Sequence, residues 1–249
     1  MYAIISDIHG NLEALQTVMN DIVDQGIREI VCLGDVIGYG PNPRECLKIA
    51  IDNFRFTLLG NHEQAVVGEP VGFNPKAMQA VLWTRDQLKD PKHPAEENEK
   101  FWKYISGFPT HIEEAKNLYV HASPLEPTTQ YLLPNDAMNT ELMDEVFAHF
   151  SAYCFGGHTH VPGIFTPHYR FISLSETDYR YLLGVEKALV NVGSVGQPRD
   201  GDNRACYVTV DGLELEFRRL EYDFEVTRDK IYATSGLPRI LGDRLARGV

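Results

Sequence analysis

The stretch "YAIISDIHGN" at residues 2–11 decides the fold. Tyr2 to Ile5 form an apolar run with the length and composition of a buried strand. The chain leaves that strand through Asp7, His9 and Gly10, with two short ligand-type side chains one residue apart. Taken alone, the exit reads either as an ordinary turn containing an Asp and a Gly or as half of a metal site. The choice depends on how the other strands end.

Outward from this stretch the chain alternates strand and helix. In "NLEALQTVMNDIVDQG" (11–26) Leu12, Leu15, Val18, Met19, Ile22 and Val23 recur at helical spacing, and Gly26 suits the C-terminal end. "EIVCLG" (29–34) reads as a strand, "NPRECLKIAIDN" (42–53) as a helix and "FRFTLLG" (54–60) as a third strand. Strand–helix–strand–helix–strand at this spacing implies a parallel sheet with right-handed crossovers. Residues 62–108 read as helical, with Asn74 capping and Pro75 in a first turn, and "KDPKHPAEENEK" (89–100) as a solvated connection. "NLYVHA" (117–122) returns to strand, and "SPLEPTTQYLLPND" (123–136) is a long loop of the kind that carries function. A helix near 139–150 precedes the strand "YCFGG" (153–157). "GIFTP", "YRFISL", "ALVNV", "RACYVTV" and "LELEFRRLEY" follow as strands, with a helical tail from about 223. The expectation is an α/β fold in one domain, residues 1–249, with two sheets packed face to face and helices outside.

The strand ends answer the opening question. After Asp7 and His9, "VCLGD" delivers Asp35, "LLGNHE" delivers Asn61, His62 and Glu63, "LYVHA" delivers His121, and "CFGGHTH" delivers His158 and His160. Sites in open α/β sheets form at the carboxyl ends of strands, so these side chains are predicted neighbours in space. Two carboxylates, one amide oxygen and five histidines then converge on one rim. Imidazole and carboxylate without thiolate suit Mn, Fe, Zn or Co better than Mg or Ca. So many donors exceed one ion's needs and suit two ions sharing a carboxylate, roughly 3.5–4 Å apart. "DxH" or "GD" alone arises by chance; the ordered set DxH, GD, GNHE, H, GHTH carries the weight. His93, His111, His149 and His168 fall in a polar loop, a strand start, a helix and a turn, and read as structural or surface residues.

Composition sets the boundaries of the reading. A net charge of −12 argues against a nucleic-acid backbone as a stable partner, although bound cations would reverse the local sign for a phosphorylated substrate. Cys32, Cys46, Cys154 and Cys206 form no CxxC pair, which leaves a thiolate zinc site unsupported and suits a reducing cytoplasm. The first apolar run is too short for a signal-peptide core or a membrane span. A cytoplasmic location without membrane attachment is expected, and oligomeric state is not legible.

The ordered motifs resemble the calcineurin-like metallophosphoesterase family across residues 7–160, and "NVGSVGQPRDGD" (191–202) resembles a further family segment. The resemblance implies a four-layer αββα sandwich and a binuclear centre of divalent transition metals, manganese foremost. Carried over, Asp7, His9 and His160 would hold one ion, Asn61, His121 and His158 the other, and Asp35 would bridge. His62 would protonate the leaving group or contact a phosphoryl oxygen. Protein Ser/Thr phosphatases and symmetrical dinucleoside tetraphosphatases of the family carry "GDxxDRG", whereas this chain has "GDVIGYG" (34–40). Gly38 therefore replaces the motif's second Asp and Tyr39 its phosphate-binding Arg. The whole is similar to a bacterial or archaeal branch of phosphodiesterases and atypical diadenosine tetraphosphatases.

These readings predict an enzyme that hydrolyses a phosphodiester or a dinucleoside-polyphosphate-type anhydride through attack by a hydroxide held on the metals. In the loop at 191–202, Arg199 reads as the substrate's cation or as a plain surface arginine, with Gly193 and Ser194 offering backbone donors. Tyr39 reads as a base-stacking ring or as packing. The enzymatic alternative is a phosphoprotein phosphatase, disfavoured by the missing "DRG". The non-enzymatic alternative is an interaction scaffold on the same fold, which would be expected to show damaged ligand positions; here every one is filled.

Overall fold

A computed structural model describes residues 1–249. In chain order the elements are β1 (Tyr2–Ile5), α1 (Leu12–Asp24), β2 (Ile30–Cys32), α2 (Pro43–Asn53), β3 (Phe56–Thr57), α3 (Asn61–Val67), α4 (Pro75–Lys89) and α5 (Ala95–Ser106). Then come β4 (His111–Glu114), β5 (Asn117–Val120), a 3₁₀ turn (Pro134–Met138), α6 (Thr140–Ala148), β6 (Tyr153–Gly156), β7 (Gly163–Thr166) and β8 (Arg170–Ser173). The remainder is α7 (Leu174–Thr177), β9 (Arg180–Leu182), β10 (Ala188–Asn191), β11 (Ala205–Asp211), β12 (Glu214–Leu220), α8 (Phe224–Ala233) and α9 (Ile240–Leu245).

Two six-stranded sheets result, ordered β3-β2-β1-β11-β12-β9 and β4-β5-β6-β10-β7-β8. β1, β2 and β3 are parallel, as the alternation predicts, and so are β5, β6 and β10. The remaining pairs, β1–β11, β11–β12 and β12–β9 in the first sheet and β4–β5, β10–β7 and β7–β8 in the second, are antiparallel.

Period-two burial builds the layers. Along β1, Ala3 and Ile5 face Leu15, Val18, Ile22, Cys46 and Phe101 on the helical side. Ile4, between them, faces inward and packs in one cluster with Phe155, Ile164 and Val190 of the second sheet. The second sheet's other face, through Leu118, Cys154 and Leu189, buries Met143, Val146 and Phe147 of α6. These three apolar layers make the αββα sandwich. No helix is long and apolar enough to cross a membrane.

Several boundaries depart from the sequence reading. β3 is two residues long, because beyond Thr57 the chain turns toward the rim after one further bond, Leu58 N–H to Cys32 O at 2.9 Å. The connection at 89–100 is half helix: α5 starts at Ala95 after Pro94, with Glu96 and Glu97 in its first turn, where the helix dipole favours carboxylates. Glu97 also takes Arg44 and Lys48 as ion-pair partners, so its charge is not idle solvation. Val23 is exposed, since it falls at the edge of the apolar stripe of α1. α7 and β9 lie where no element was expected.

Candidate metal centre

The carboxyl ends of β1, β2, β3, β5 and β6 meet on one rim and bring together every predicted donor. Asp7, His9 and His160 form one group and Asp35, His121 and His158 another, all buried. Asn61 joins the second group, with its Oδ1 3.1 Å from His121 Nε2. Asp35 Oδ2 stands between the groups, 3.7 Å from His9 Nε2 and 3.5 Å from His121 Nε2. His93, His111, His149 and His168 are exposed and belong to neither.

Local backbone geometry explains how short side chains reach inward here. Asp7, His9, Asp35, Tyr39, His158 and His160 all have φ between 50° and 63°, the left-handed region that costs a residue with a Cβ. These six are among only ten non-glycine residues with positive φ, so backbone strain concentrates at the rim. Gly60 and Gly157 serve close approach: a Cβ at either would overlap the carboxylate of Asp35 or Asp7 respectively.

Hydrogen bonds to main-chain carbonyls set the imidazole tautomers. His121 Nδ1 donates to Leu33 O (3.0 Å), His160 Nδ1 to Gln197 O, and His158 Nε2 to Thr129 O (3.2 Å). The opposite nitrogens, His121 Nε2, His160 Nε2 and His158 Nδ1, then present lone pairs to the rim. His121 Nε2 and His158 Nδ1 are 3.2 Å apart, and His160 Nε2 lies 3.1 Å from both His9 Nε2 and Asp7 Oδ1. Despite that distance Asp7 Oδ1 makes no hydrogen bond.

Electron-pair donors facing each other inside a protein need a cation between them. Protons do not fill that need, because burial lowers the pKa of each of these imidazoles, that of His158 to about 3. Burial opposes ionisation of Asp7, but His160 beside it holds its carboxyl well below the usual range. Asp35 is pushed well above that range, first by burial and then by the Glu63 and Asp7 carboxylates. The donor set therefore fits divalent metal.

His62 follows Asn61 at the start of α3, and its N–H donates to Asp35 Oδ1 (2.9 Å). Its ring lies between Tyr39, with centroids 4.3 Å apart, and Phe73 at 5.1 Å. Nδ1 packs against Gly38 without a hydrogen-bond partner, while Nε2 makes no internal bond and is not sealed from solvent. Tyr39 also leans on His9 at 4.6 Å, and the Arg199 guanidinium lies 5.9 Å over the Tyr39 ring.

Gly193 and Ser194 are not at the mouth of the site. Ser194 is fully buried; its Oγ donates to Asp7 O (2.8 Å) and accepts from Gln197 N–H (2.8 Å). The Gly193 N–H is taken by Asn191 Oδ1 (3.0 Å). With Val195 and Gly196 N–H bonded to Ser6 and Asp7 carbonyls, this loop is stitched onto the first one, which holds Gln197 O against His160. Its conformation serves the metal donors, and only Arg199 continues outward.

Glu63 is a residue whose role the sequence did not reveal, although it closes the quoted "GNHE". Fully buried, it accepts from the N–H groups of Asp35 (2.9 Å), Ile37 (3.0 Å) and Gly60 (3.2 Å), tying two rim loops together. Burial pushes its pKa up to about 7, against those three donors. In Glu63→Gln an amide N–H₂ faces backbone N–H groups. A stability loss of about 1–3 kcal/mol is expected in urea unfolding. Metal affinity should weaken by roughly 10–100-fold through the misplaced Asp35. A variant with wild-type stability and metal affinity would show that Glu63 braces nothing.

An α/β sandwich with this rim of imidazole, carboxylate and amide donors defines a class of metal-dependent phosphoester hydrolases. Residues 2–162 match the calcineurin-like phosphoesterase family, and the chain belongs to it. An uncharacterized protein of Methanocaldococcus jannaschii is 39% identical over 257 residues, covering 100% of this chain and 98% of the relative. The crystal structure of a metallophosphoesterase from Sphaerobacter thermophilus superposes with a TM-score of 0.83 at 33% identity, covering 100% and 98% of the two chains. A hypothetical protein from Pyrococcus horikoshii OT3 shares the fold at 19% identity, with a TM-score of 0.77 and the same coverage.

Proposed function

We propose that the protein is a binuclear phosphoesterase that hydrolyses a phosphodiester or a nucleotide-type phosphoanhydride. The observation that carries this reading is the pair of donor groups with Asp35 between them. Asp7, His9 and His160 would hold one divalent ion and Asn61, His121 and His158 the other, with Asp35 available to both. When bound, the ions supply an activated water nucleophile and neutralise the phosphoryl oxygens.

The chain's own groups position the reaction. His62 groups with His9 and Asp35, and its Nε2, free of internal bonds, can pass a proton to the departing oxygen as the P–O bond breaks. Tyr39, Phe73 and Gly38 hold that ring on three sides and restrict its rotation. Arg199 offers a guanidinium at the mouth, suited to non-bridging phosphate oxygens. The four buried free thiols fit a reducing compartment.

Gly38 leaves His62 without the acidic partner of the phosphoprotein phosphatases, so proton donation to a poor alkoxide leaving group is weakly supported. A nucleotide phosphate leaving from an anhydride is stabilised as an anion and demands less. The test is metal analysis joined to kcat/KM for bis-p-nitrophenyl phosphate, a dinucleoside polyphosphate and a phosphoserine peptide. About two manganese ions per chain are expected, with activity lost on chelation and the anhydride or activated diester preferred. One ion or none at unchanged activity would remove the binuclear centre, and a preference for phosphoserine would overturn the substrate class.

A further inference from the structure

We propose that Arg244, from the C-terminal helix α9, joins Arg199 in a two-guanidinium clamp that binds a second phosphoryl group of the substrate, beyond the one hydrolysed. This rests on the phosphoesterase reading above and narrows its substrate to molecules with adjacent phosphates. The first observation is a failure to pair. The chain has 35 acidic and only 23 basic residues, yet neither Arg199 nor Arg244 has a carboxylate partner. Arg199 bonds only Gln197 Oε1 (3.0 Å), its Nε is buried without a partner, and Arg244 makes no side-chain hydrogen bond. By contrast the other buried or half-buried arginines find carboxylates or, for Arg85, main-chain carbonyls, and Arg28, Arg239 and Arg247, which also lack a carboxylate, are exposed.

The second observation is how the two arginines are held. Arg199 N–H bonds His160 O (3.3 Å), which ties it to the metal donors. Two residues on, Gly201 N–H bonds Gly248 O (3.0 Å), and Gly248 N–H in turn bonds Arg244 O (3.0 Å). Gly248 packs so closely on Asp202 that a Cβ there would lie 2.7 Å from its carbonyl, at φ +64°. The last turn of α9 is thus latched to the loop that carries Arg199. Leu241 and Leu245 of the same helix pack with Ala80 in a cluster that Tyr39 also joins.

The third observation is direction. The Arg199 guanidinium lies 5.9 Å over the Tyr39 ring, which leans on His9 and His62 at the rim, and α9, the helix of Arg244, packs in one cluster with that same ring. Burial and then the Arg199 charge hold the Arg244 guanidinium below its ordinary range. Two like charges kept together without a counter-ion mark a site for a multivalent anion. Their order, from donors to Arg199 to Arg244, lays a cationic track outward from the reacting phosphorus. An anion seated on Arg244 therefore lies beyond the one at the donors.

Calorimetric titration of the manganese-loaded protein with AMP and with ADP, the latter as its α,β-methylene analogue so that no anhydride can be cleaved, tests the clamp, since the two ligands differ in the second phosphoryl. Wild type is expected to bind ADP at least about tenfold tighter than AMP, as a charge-assisted contact implies. Arg244→Gln should collapse that ratio to within about threefold, and Arg244→Lys should lie between, because the charge stays and the planar fork is lost. Arg239→Gln, an exposed arginine over Tyr232 on the same tail, should keep the wild-type ratio. Equal weakening of both ligands in Arg244→Gln, or no change in either, would overturn the clamp. Arg244-dependent ADP preference in a protein that hydrolyses no phosphoester would instead refute the phosphoesterase reading and leave the clamp standing.

Discussion

Asp35→Asn is expected to abolish metal uptake and to lower phosphoester hydrolysis by at least about 10²-fold. The same substitution should leave the chelator-treated protein as stable as wild type or more so. Asparagine has the shape of aspartate, and its Oδ1 can still accept the His62 N–H. Its Nδ2 would replace Oδ2, which faces the ring nitrogens His9 Nε2 and His121 Nε2 at 3.7 and 3.5 Å. Without metal, an amide N–H₂ suits that place better than a carboxylate oxygen does. Burial, Glu63 and Asp7 raise the folded-state pKa of Asp35 well above the ordinary range. In the chelated protein its stabilising contribution is thus present at acid pH, below the ordinary carboxylate pKa, and is lost as pH rises through the raised value. Asparagine removes that loss. With metal the sign reverses, because a neutral amide cannot hold two cations at close range. Thermal unfolding with chelator and with manganese, beside metal analysis, separates the two effects: wild type should gain stability from manganese and the variant none. Wild-type metal content in the variant would show that Asp35 holds no metal, and equal damage from His93→Ala would show that the site is elsewhere.

That trade of metal-free stability for metal binding explains why the donors were legible in the sequence. A carboxylate or imidazole at a strand end is conspicuous because an ordinary strand exit needs neither, and the alternation in the first 60 residues already placed the ends that carry Asp7, His9, Asp35 and Asn61 on one rim. The partners of the donors were hidden for the opposite reason. Leu33, Thr129 and Gln197 fix the tautomers through their carbonyl oxygens, which every residue type possesses. Glu63 was in plain view beside Asn61 and His62 but had no role of its own in the sequence; only the fold turns its carboxylate back onto three N–H groups. Gly193 shows the reverse, a residue with a phosphate-binding look whose N–H is spent on Asn191, while the neighbouring Ser194 hydroxyl fastens one loop to another. The start of α5 was missed because a charge-rich segment reads as solvated loop until Arg44 and Lys48, distant in sequence, arrive as partners for Glu97. Arg244 carried no sequence signal, since its meaning depends on a latch between Gly201 and Gly248 that only tertiary structure creates.

Gly38→Ala is expected to disable the enzyme nearly as thoroughly as His62→Ala, although it adds one methyl group and removes nothing. A Cβ at position 38 would overlap His62 Nδ1 and lie 2.8 Å from Cγ, and the backbone there has φ +97°. Overpacking costs about 1–3 kcal/mol, and the positive φ adds roughly 1–2 kcal/mol for any residue with a Cβ. The ring has no room to retreat, with Tyr39 and Phe73 on its other sides. It must swing from Asp35, and proton donation goes with it, a loss of roughly 10²–10⁴-fold where the leaving oxygen is a poor one. Aryl diesters such as bis-p-nitrophenyl phosphate, whose leaving groups need little proton help, should suffer less in both variants. Placing aspartate at 38 to rebuild the phosphatase motif should fail for the same steric reason. The deciding experiment is the double variant Gly38→Ala with His62→Ala. If position 38 acts only by leaving space for the ring, the double variant should be no less active than His62→Ala alone and more stable than Gly38→Ala alone. Losses that simply add would mean that Gly38 serves the site independently of His62, and equal losses on alkyl and aryl leaving groups would make His62 a phosphate ligand rather than a proton donor.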